Sequence, residues 1–338
     1  GKFAPNKQNT SSIHGAPLGN EEMKLFFDEI GWEGEPFDHR DDVYDYFAEK
    51  RQEDNKSFEK WKSNLDNKLK NDGSFRKLWE QFEKYELSFP ESFKIQEAAT
   101  RVTGGNYLKL IGLENKFVLG GSADLSASTK QIISEESYTS ENRHGQNIEF
   151  GIREHSMAAV VNGISLHSNL FSFGSTFLVF SDYMRPSIRL ASLMNLNSAY
   201  IFTHDSIYLG EDGPTHQPVE HLMSLRLIPG LDVIRPSNSV ETIYAYKYLF
   251  SNTKNPKVLS LTRQNLKFLD YDVDYSDFLN GGFIISKGED LTIFASGSEV
   301  NLALEIKETL KEYSVQVVSV PILNKLTPKI SESLNNNK

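Results

Sequence analysis

Between residues 203 and 218 the chain reads Thr-His-Asp-Ser-Ile-Tyr-Leu-Gly-Glu-Asp-Gly-Pro-Thr-His-Gln-Pro. Two imidazoles, His204 and His216, and three carboxylates, Asp205, Glu211 and Asp212, fall within thirteen residues. Pro214 after Gly213 cannot sit inside a helix, so the segment reads as a loop. The preceding Ala-Tyr-Ile-Phe, residues 199–202, reads as a buried strand. α/β proteins build sites in this way, in loops at the carboxyl ends of their strands. Taken singly, each histidine is as readily a satisfied structural one. Together, with Asp212 between them, they fit one cavity, and Asp212 with His216 suits gripping adjacent hydroxyls and a carbonyl.

Other residues carry chemistry elsewhere. Glu154 opens an otherwise apolar, Ala-rich segment. A carboxylate entering such surroundings should have a raised pKa and can be held protonated as an acid. The plainer reading is a helix-N-terminal Glu paired with Arg153 or Arg189. Arg101, Arg263 and Ser128 are candidate phosphate ligands, because an Arg fork pairs bidentately with phosphate oxygens and a hydroxyl or loop amides after Gly121 complete the shell. Alone, each also fits an ordinary surface position. Phe177, Phe180 and Tyr183 form an i, i+3, i+6 stripe that either packs into a core or stacks on a flat heteroaromatic ring. Metal chemistry finds little support. His39 lies among Asp38, Asp41 and Asp42 in a solvated, charged stretch, and no His-Glu-x-x-His pair or Walker loop occurs.

These residues need a scaffold, and the 338-residue chain is long enough for two domains or three. A hydrophobic content of 38% with 12% aromatics supports real cores. The net charge of −10 argues against nucleic acid and anionic membrane as partners, though a basic pocket for an anionic substrate is compatible with it. No cysteine is present, so disulfides and thiolate metal sites are excluded. No apolar run approaches the roughly 20 residues of a membrane helix, and no signal-peptide pattern opens the chain. The absence of an initiator Met reads as a fragment. The default expectation is a soluble, cytoplasmic protein.

Apolar residues at helical spacing over residues 41–86, interrupted at residues 71–73, predict a helical hairpin. Residues 92–113 predict helix. Strands are expected at 117–119, 177–180, 199–202, 231–234 and 257–261, and at the start of 148–163. Helices are expected between them at 183–194, 219–225 and 239–250. Alternation of this kind predicts an α/β fold, a mostly parallel sheet with helices on both faces. A polar linker follows, then a βαβ unit at residues 291–320 that looks like a domain cut short, and a polar tail over residues 331–338.

Taken in order, these pieces resemble the transketolase family of thiamine-diphosphate enzymes. The matching segments are His14-Gly-Ala-Pro-Leu-Gly19, Ala99-Thr-Arg101, Gly120-Gly-Ser-Ala-Asp-Leu125, Gly151-Ile-Arg-Glu-His-Ser-Met157, Thr176-Phe-Leu-Val-Phe-Ser-Asp-Tyr183, residues 203–218 and Ser260-Leu-Thr-Arg-Gln-Asn265. The resemblance implies a thiamine-diphosphate-binding fold and transfer of a two-carbon ketol unit between sugar phosphates, in the pentose phosphate pathway. It makes Glu154 the catalytic glutamate that hydrogen-bonds the cofactor's aminopyrimidine. It places Phe180 against that ring, with Phe177, Tyr183, Asp124 and His14 around the cofactor. His216 and Asp212 then recognise the sugar's carbonyl and hydroxyls, with His216 also at the reacting centre and His14 near it. Arg101, Ser128, His204 and Arg263 hold the phosphate.

The same resemblance implies a divide at residues 1–90 (tail of the diphosphate domain and helical linker), 91–268 (pyrimidine domain), 269–285 (linker) and 286–338 (partial C-terminal domain). It implies thiamine diphosphate with Mg²⁺ whose ligands lie outside this chain, a homodimer with sites at the subunit interface, and a chain inactive alone. Two departures stand out. Tyr208 occupies a position usually glycine, beside the donor cavity, and the sequence from Ile322 onward does not look like the family's continuation. Two rivals remain, a dihydroxyacetone synthase that uses formaldehyde as acceptor and a non-catalytic dimerisation module.

Overall fold

The computed structural model describes residues 1–269, 271, 273–325 and 331, so the expected tail beyond Ser331 lies outside the described residues. The chain forms two compact units, residues 1–77 and 78–338. In the first, α1 (Asn20–Ile30) is followed by α2 (Asp41–Asn71), and α3 (Gly73–Lys84) runs across the unit boundary. The opening coil is tied to α1 by Glu22, whose carboxylate accepts from the Asn6 backbone N–H (2.8 Å) and side chain (3.1 Å). The expected break falls at Asp72, which ends α2 and accepts from the Ser74 and Phe75 N–H groups at 3.1 and 3.0 Å. Those hydrogen bonds satisfy the first free donors of α3.

The second unit alternates as expected. α4 (Thr100–Glu114) leads to β1 (Val118–Ser122), α5 (Ser126–Thr129), α6 (Glu154–His167), β2 (Phe171–Phe177), α7 (Ser181–Leu193) and β3 (Ala199–Thr203). α8 (His221–Arg226), β4 (Asp232–Ile234), α9 (Ser239–Leu249) and β5 (Lys257–Leu261) follow. The five strands form one parallel sheet in the order β1-β2-β3-β5-β4. Buried residues divide between its faces with period two. Ile201, Leu259 and Ile234 pack with Tyr107 and Ile111 of α4 and Tyr246 of α9. Tyr200, Phe202, Val258 and Val233 pack with Met157 and Val161 of α6 and Met184 and Ile188 of α7. Helices on both faces are the only way such a sheet escapes water.

Then come α10 (Tyr275–Leu279), β6 (Phe283–Ser286), β7 (Leu291–Ala295), α11 (Glu299–Thr309) and β8 (Val315–Ser319). β7, α11 and β8 are the predicted parallel βαβ unit, and β6 pairs antiparallel with β8. The stretch expected as linker thus supplies both a short helix and an edge strand. Three other expectations are corrected. The strand placed at residues 177–180 is β2, ending at Phe177, and Leu178–Phe180 is a 3₁₀ turn. The helix expected from residue 92 begins only at Thr100, and residues 148–150 form no strand.

Two local features carry predictions. A Cβ on Gly121, in β1, would lie 2.0 Å from the Ile148 carbonyl oxygen, a backbone atom with nowhere to go. Gly121→Ala should therefore cost about 1–3 kcal/mol by denaturant unfolding. At the opposite sheet end, Lys257 is fully buried and donates to Asn197 Oδ1 (2.7 Å) and the Ser251 carbonyl (3.2 Å). Burial pushes its ammonium down to about 7, with Asp232 opposing and Lys325 adding to the effect. Between that value and the unfolded one, the unfolded chain holds a proton that the folded chain does not, so stability rises with pH across this window. From pH 7 to pH 9 the gain should be on the order of 2 kcal/mol by urea unfolding, and Lys257→Met should remove it.

Candidate functional site

Parallel strands in register bring their carboxyl ends together. Phe177 lies opposite Thr203, and Thr203 opposite Leu261. The next residues out, His204 after β3 and Arg263 two beyond β5, therefore share one edge with Asp124 after β1 and Phe180 after β2. Most of the predicted residues gather on that edge in two groups.

The first group surrounds a cavity of about 480 Å³ lined by Asp124, Leu125, Ile152, Glu154, Phe180, Tyr183 and His216, with Ala123. Glu154 is the first residue of α6. It is half-buried, not buried as its apolar context suggests, because the Ala-rich stretch turns inward only from Met157. Arg153 donates to the Phe150 carbonyl at 2.8 Å, so the pairing expected of it with Glu154 is replaced by a backbone contact. The rings of Phe180 and Tyr183 stack at 6.1 Å and 28°, and His216 meets Phe180 edge-on at 5.3 Å. A flat wall, a carboxyl group and open volume are what a heteroaromatic ring with a basic nitrogen requires. These residues fit the pyrimidine half of thiamine diphosphate.

The second group is cationic. Arg101, in the first turn of α4, donates to the Ser128 carbonyl, while its buried Nε has no partner. Burial holds its guanidinium below the usual value, and nearby Arg263 adds to that while Asp212 opposes it. His204 is buried, with Nδ1 2.8 Å from Thr203 Oγ1. Burial, then the charges of Arg101 and Arg263, and then His216 push its ring down to about 3, so it is neutral at ordinary pH. Two guanidiniums beside a neutral imidazole offer cationic donors to an anion, whose charge would offset their mutual repulsion.

A line of rings joins the groups. Phe177, buried at the end of β2, stacks on His204 at 3.7 Å and on Phe180 at 5.9 Å. His216 lies 6.2 Å from Phe177, and Asp212 is exposed. His14 is exposed in the first compact unit. Tyr208 lies away from the Glu154 cavity, exposed beside a separate one of about 340 Å³ with Gln264, Leu266, Asn301 and Leu302.

Sequence reasoning missed Ile152 and Leu125 on the cavity wall. It also missed the pairing of Asp205 with Arg235 behind His204, although an Arg closing the apolar run before Pro236 was a signal. His221 is buried, with Nε2 3.1 Å from Asp182 Oδ2, while its Nδ1 makes no hydrogen bond. No helix among the described residues is long and apolar enough to cross a membrane.

Comparison with known proteins accords with this geometry. Residues 96–268 match the transketolase pyrimidine-binding domain, residues 1–88 the transketolase thiamine-diphosphate-binding domain, and residues 281–334 the transketolase-like C-terminal domain. The last match runs through Ile322, which corrects the expectation that the family pattern stops there. A Bacillus subtilis transketolase is 40% identical over 98% of this chain and 52% of its own length. The chain thus spans about half the length of the curated relatives it matches. A transketolase structure from Leishmania mexicana aligns at TM-score 0.81 with 32% identity, over 91% of this chain and 48% of that one. One from Pichia stipitis, in complex with sedoheptulose-7-phosphate, aligns at 0.81 with 29% identity, over 95% and 51%. On the pyrimidine-domain match and the strand-end geometry together, the chain belongs to the transketolase family.

Proposed function

We propose that this chain supplies the pyrimidine and sugar side of a ketol-transferring active site, moving a two-carbon unit from a ketose phosphate to an aldose phosphate in the pentose phosphate pathway. The observation that carries the reading is the continuous run from the Glu154 cavity through Phe180 and Phe177 to the cationic group around His204. Thiamine diphosphate, when bound, supplies the electron sink for breaking the carbon–carbon bond beside a carbonyl. The protein residues do the rest. Glu154 would hydrogen-bond the pyrimidine ring nitrogen and hold a proton there, and Phe180, with Tyr183 and Phe177, would fix the ring plane. Asp124 would lie at the cofactor's edge.

Arg101, Arg263 and Ser128 would hold the sugar phosphate. His204 would offer Nε2, since its Nδ1 is engaged by Thr203. Asp212 and His216, on the sugar's path between phosphate and pyrimidine, would take its hydroxyls and carbonyl. The Pichia stipitis relative, described in complex with sedoheptulose-7-phosphate, supports the sugar-phosphate reading. The diphosphate and a divalent ion, Mg²⁺, would be held by residues outside this sequence. We divide the chain at residues 1–90, 91–268, 269–285 and 286–338, and place the protein in the cytoplasm, where charged sugar phosphates are retained.

Two exposed apolar side chains line the cavity, Ile152 at 78% and Tyr183 at 63% exposed. Such a patch supports a homodimer closed over this edge, with sites at the interface. Acceptor choice tests the reading. In the assembled enzyme ribose 5-phosphate should serve as acceptor, and turnover with formaldehyde alone would assign the chain to the dihydroxyacetone synthase type.

A further inference from the structure

β3 ends at Thr203, and His204 then takes a left-handed backbone, φ +59°, rare for a side-chain-bearing residue. Such a conformation persists only where the surroundings hold it. The next residue is what they hold. Asp205 is buried, and its Oδ2 accepts from Arg235 Nε at 2.8 Å, while Oδ1 has no partner. Arg235, just after β4, is itself buried and is gripped from the βαβ unit. Its Nη1 donates to the Ser296 carbonyl (3.1 Å) and to Glu299, and its Nη2 to Ser298 Oγ (3.4 Å). The backbones also join, with Arg235 N–H donating to Pro321 O at 2.7 Å and Gly297 N–H to Arg235 O at 3.1 Å. Gly297 has φ +57°, and a Cβ there would lie 2.7 Å from Arg235 Nε, so only glycine permits this approach.

We propose that Asp205 and Arg235 are positioning residues through which the small βαβ unit sets His204 in the phosphate site. The inference rests on the phosphate reading of His204. Arg235 touches both the loop after β3 and the turn before α11. A shift of the βαβ unit would therefore reach His204 with only Asp205 between, making sugar-phosphate affinity sensitive to that unit's seating.

The test uses the assembled enzyme and compares a phosphorylated ketose with an unphosphorylated one. Asp205→Asn weakens the link at the loop. Gly297→Ala and Glu299→Gln disturb it from the far side, at positions where a misfolded core is not at stake for Glu299, whose side chain is 43% exposed. Each should raise KM for the phosphorylated ketose about 5–20-fold, with kcat within about twofold and the unphosphorylated KM unmoved. His204→Ala is the control and should raise the same KM. If His204→Ala does so while the three variants match wild type, the positioning role is wrong and the phosphate reading stands. If His204→Ala changes nothing, the phosphate reading fails and this inference falls with it. Equal loss with both ketoses would mark general damage and also overturn the proposal.

Discussion

Glu154→Gln should lower kcat of the assembled enzyme by about 10²–10⁴-fold while leaving KM for the sugar within a few-fold. Glutamine keeps the size and a hydrogen-bonding oxygen but can neither hold nor release the carboxyl proton. Glu154 is half-buried at the start of α6, with its neighbours Ile152 and Phe180 on a cavity wall, so the exchange removes no core packing. Circular dichroism and unfolding curves should therefore match wild type. A rise in KM with unchanged kcat would reduce Glu154 to a binding contact.

The second large effect concerns the cationic group. Removing one charge-assisted hydrogen bond costs about 1.5–3 kcal/mol, or roughly 10–150-fold in affinity. Arg101→Ala and Arg263→Ala should each raise KM for a phosphorylated ketose by that order, and should leave an unphosphorylated one nearly untouched. Arg101 should be the more damaging, because it also ties α4 to the Ser128 carbonyl, whereas Arg263 is exposed. The two are close enough to repel, so the double variant should be less than the product of the singles. Inorganic phosphate should inhibit wild type and lose potency in either variant, which steady-state inhibition would measure.

Much of this site was legible in residue types. The His/Asp loop after an apolar run, the Arg two residues beyond β5 and the aromatic triplet all lie at strand ends, as parallel topology requires. β2 was harder to place. Its buried Ser172, Gly174, Ser175 and Thr176 break the apolar run that marks most fully buried strands, and Phe171 and Phe173 alone leave too short an alternation. β6 was hard to separate from the linker because its apolar run, Phe283-Ile-Ile285, is only three residues long and lies between Gly281-Gly282 and Lys287-Gly288. Glu154's half-burial depends on where α6 turns inward, which no local pattern states. The Asp205–Arg235 contact joins residues 30 apart, and only the arrangement of β3 and β4 on either side of β5 reveals it.

The most direct test follows the carbon. A ketose phosphate labelled with ¹³C in its first two carbons is incubated with ribose 5-phosphate, thiamine diphosphate, Mg²⁺ and the assembled enzyme, and the products are read by mass spectrometry and NMR. Both labels should arrive together as the first two carbons of a longer ketose phosphate, and Glu154→Ala should abolish the transfer. Transfer of one or three carbons, or two-carbon transfer undiminished in Glu154→Ala, would contradict the role assigned to this chain.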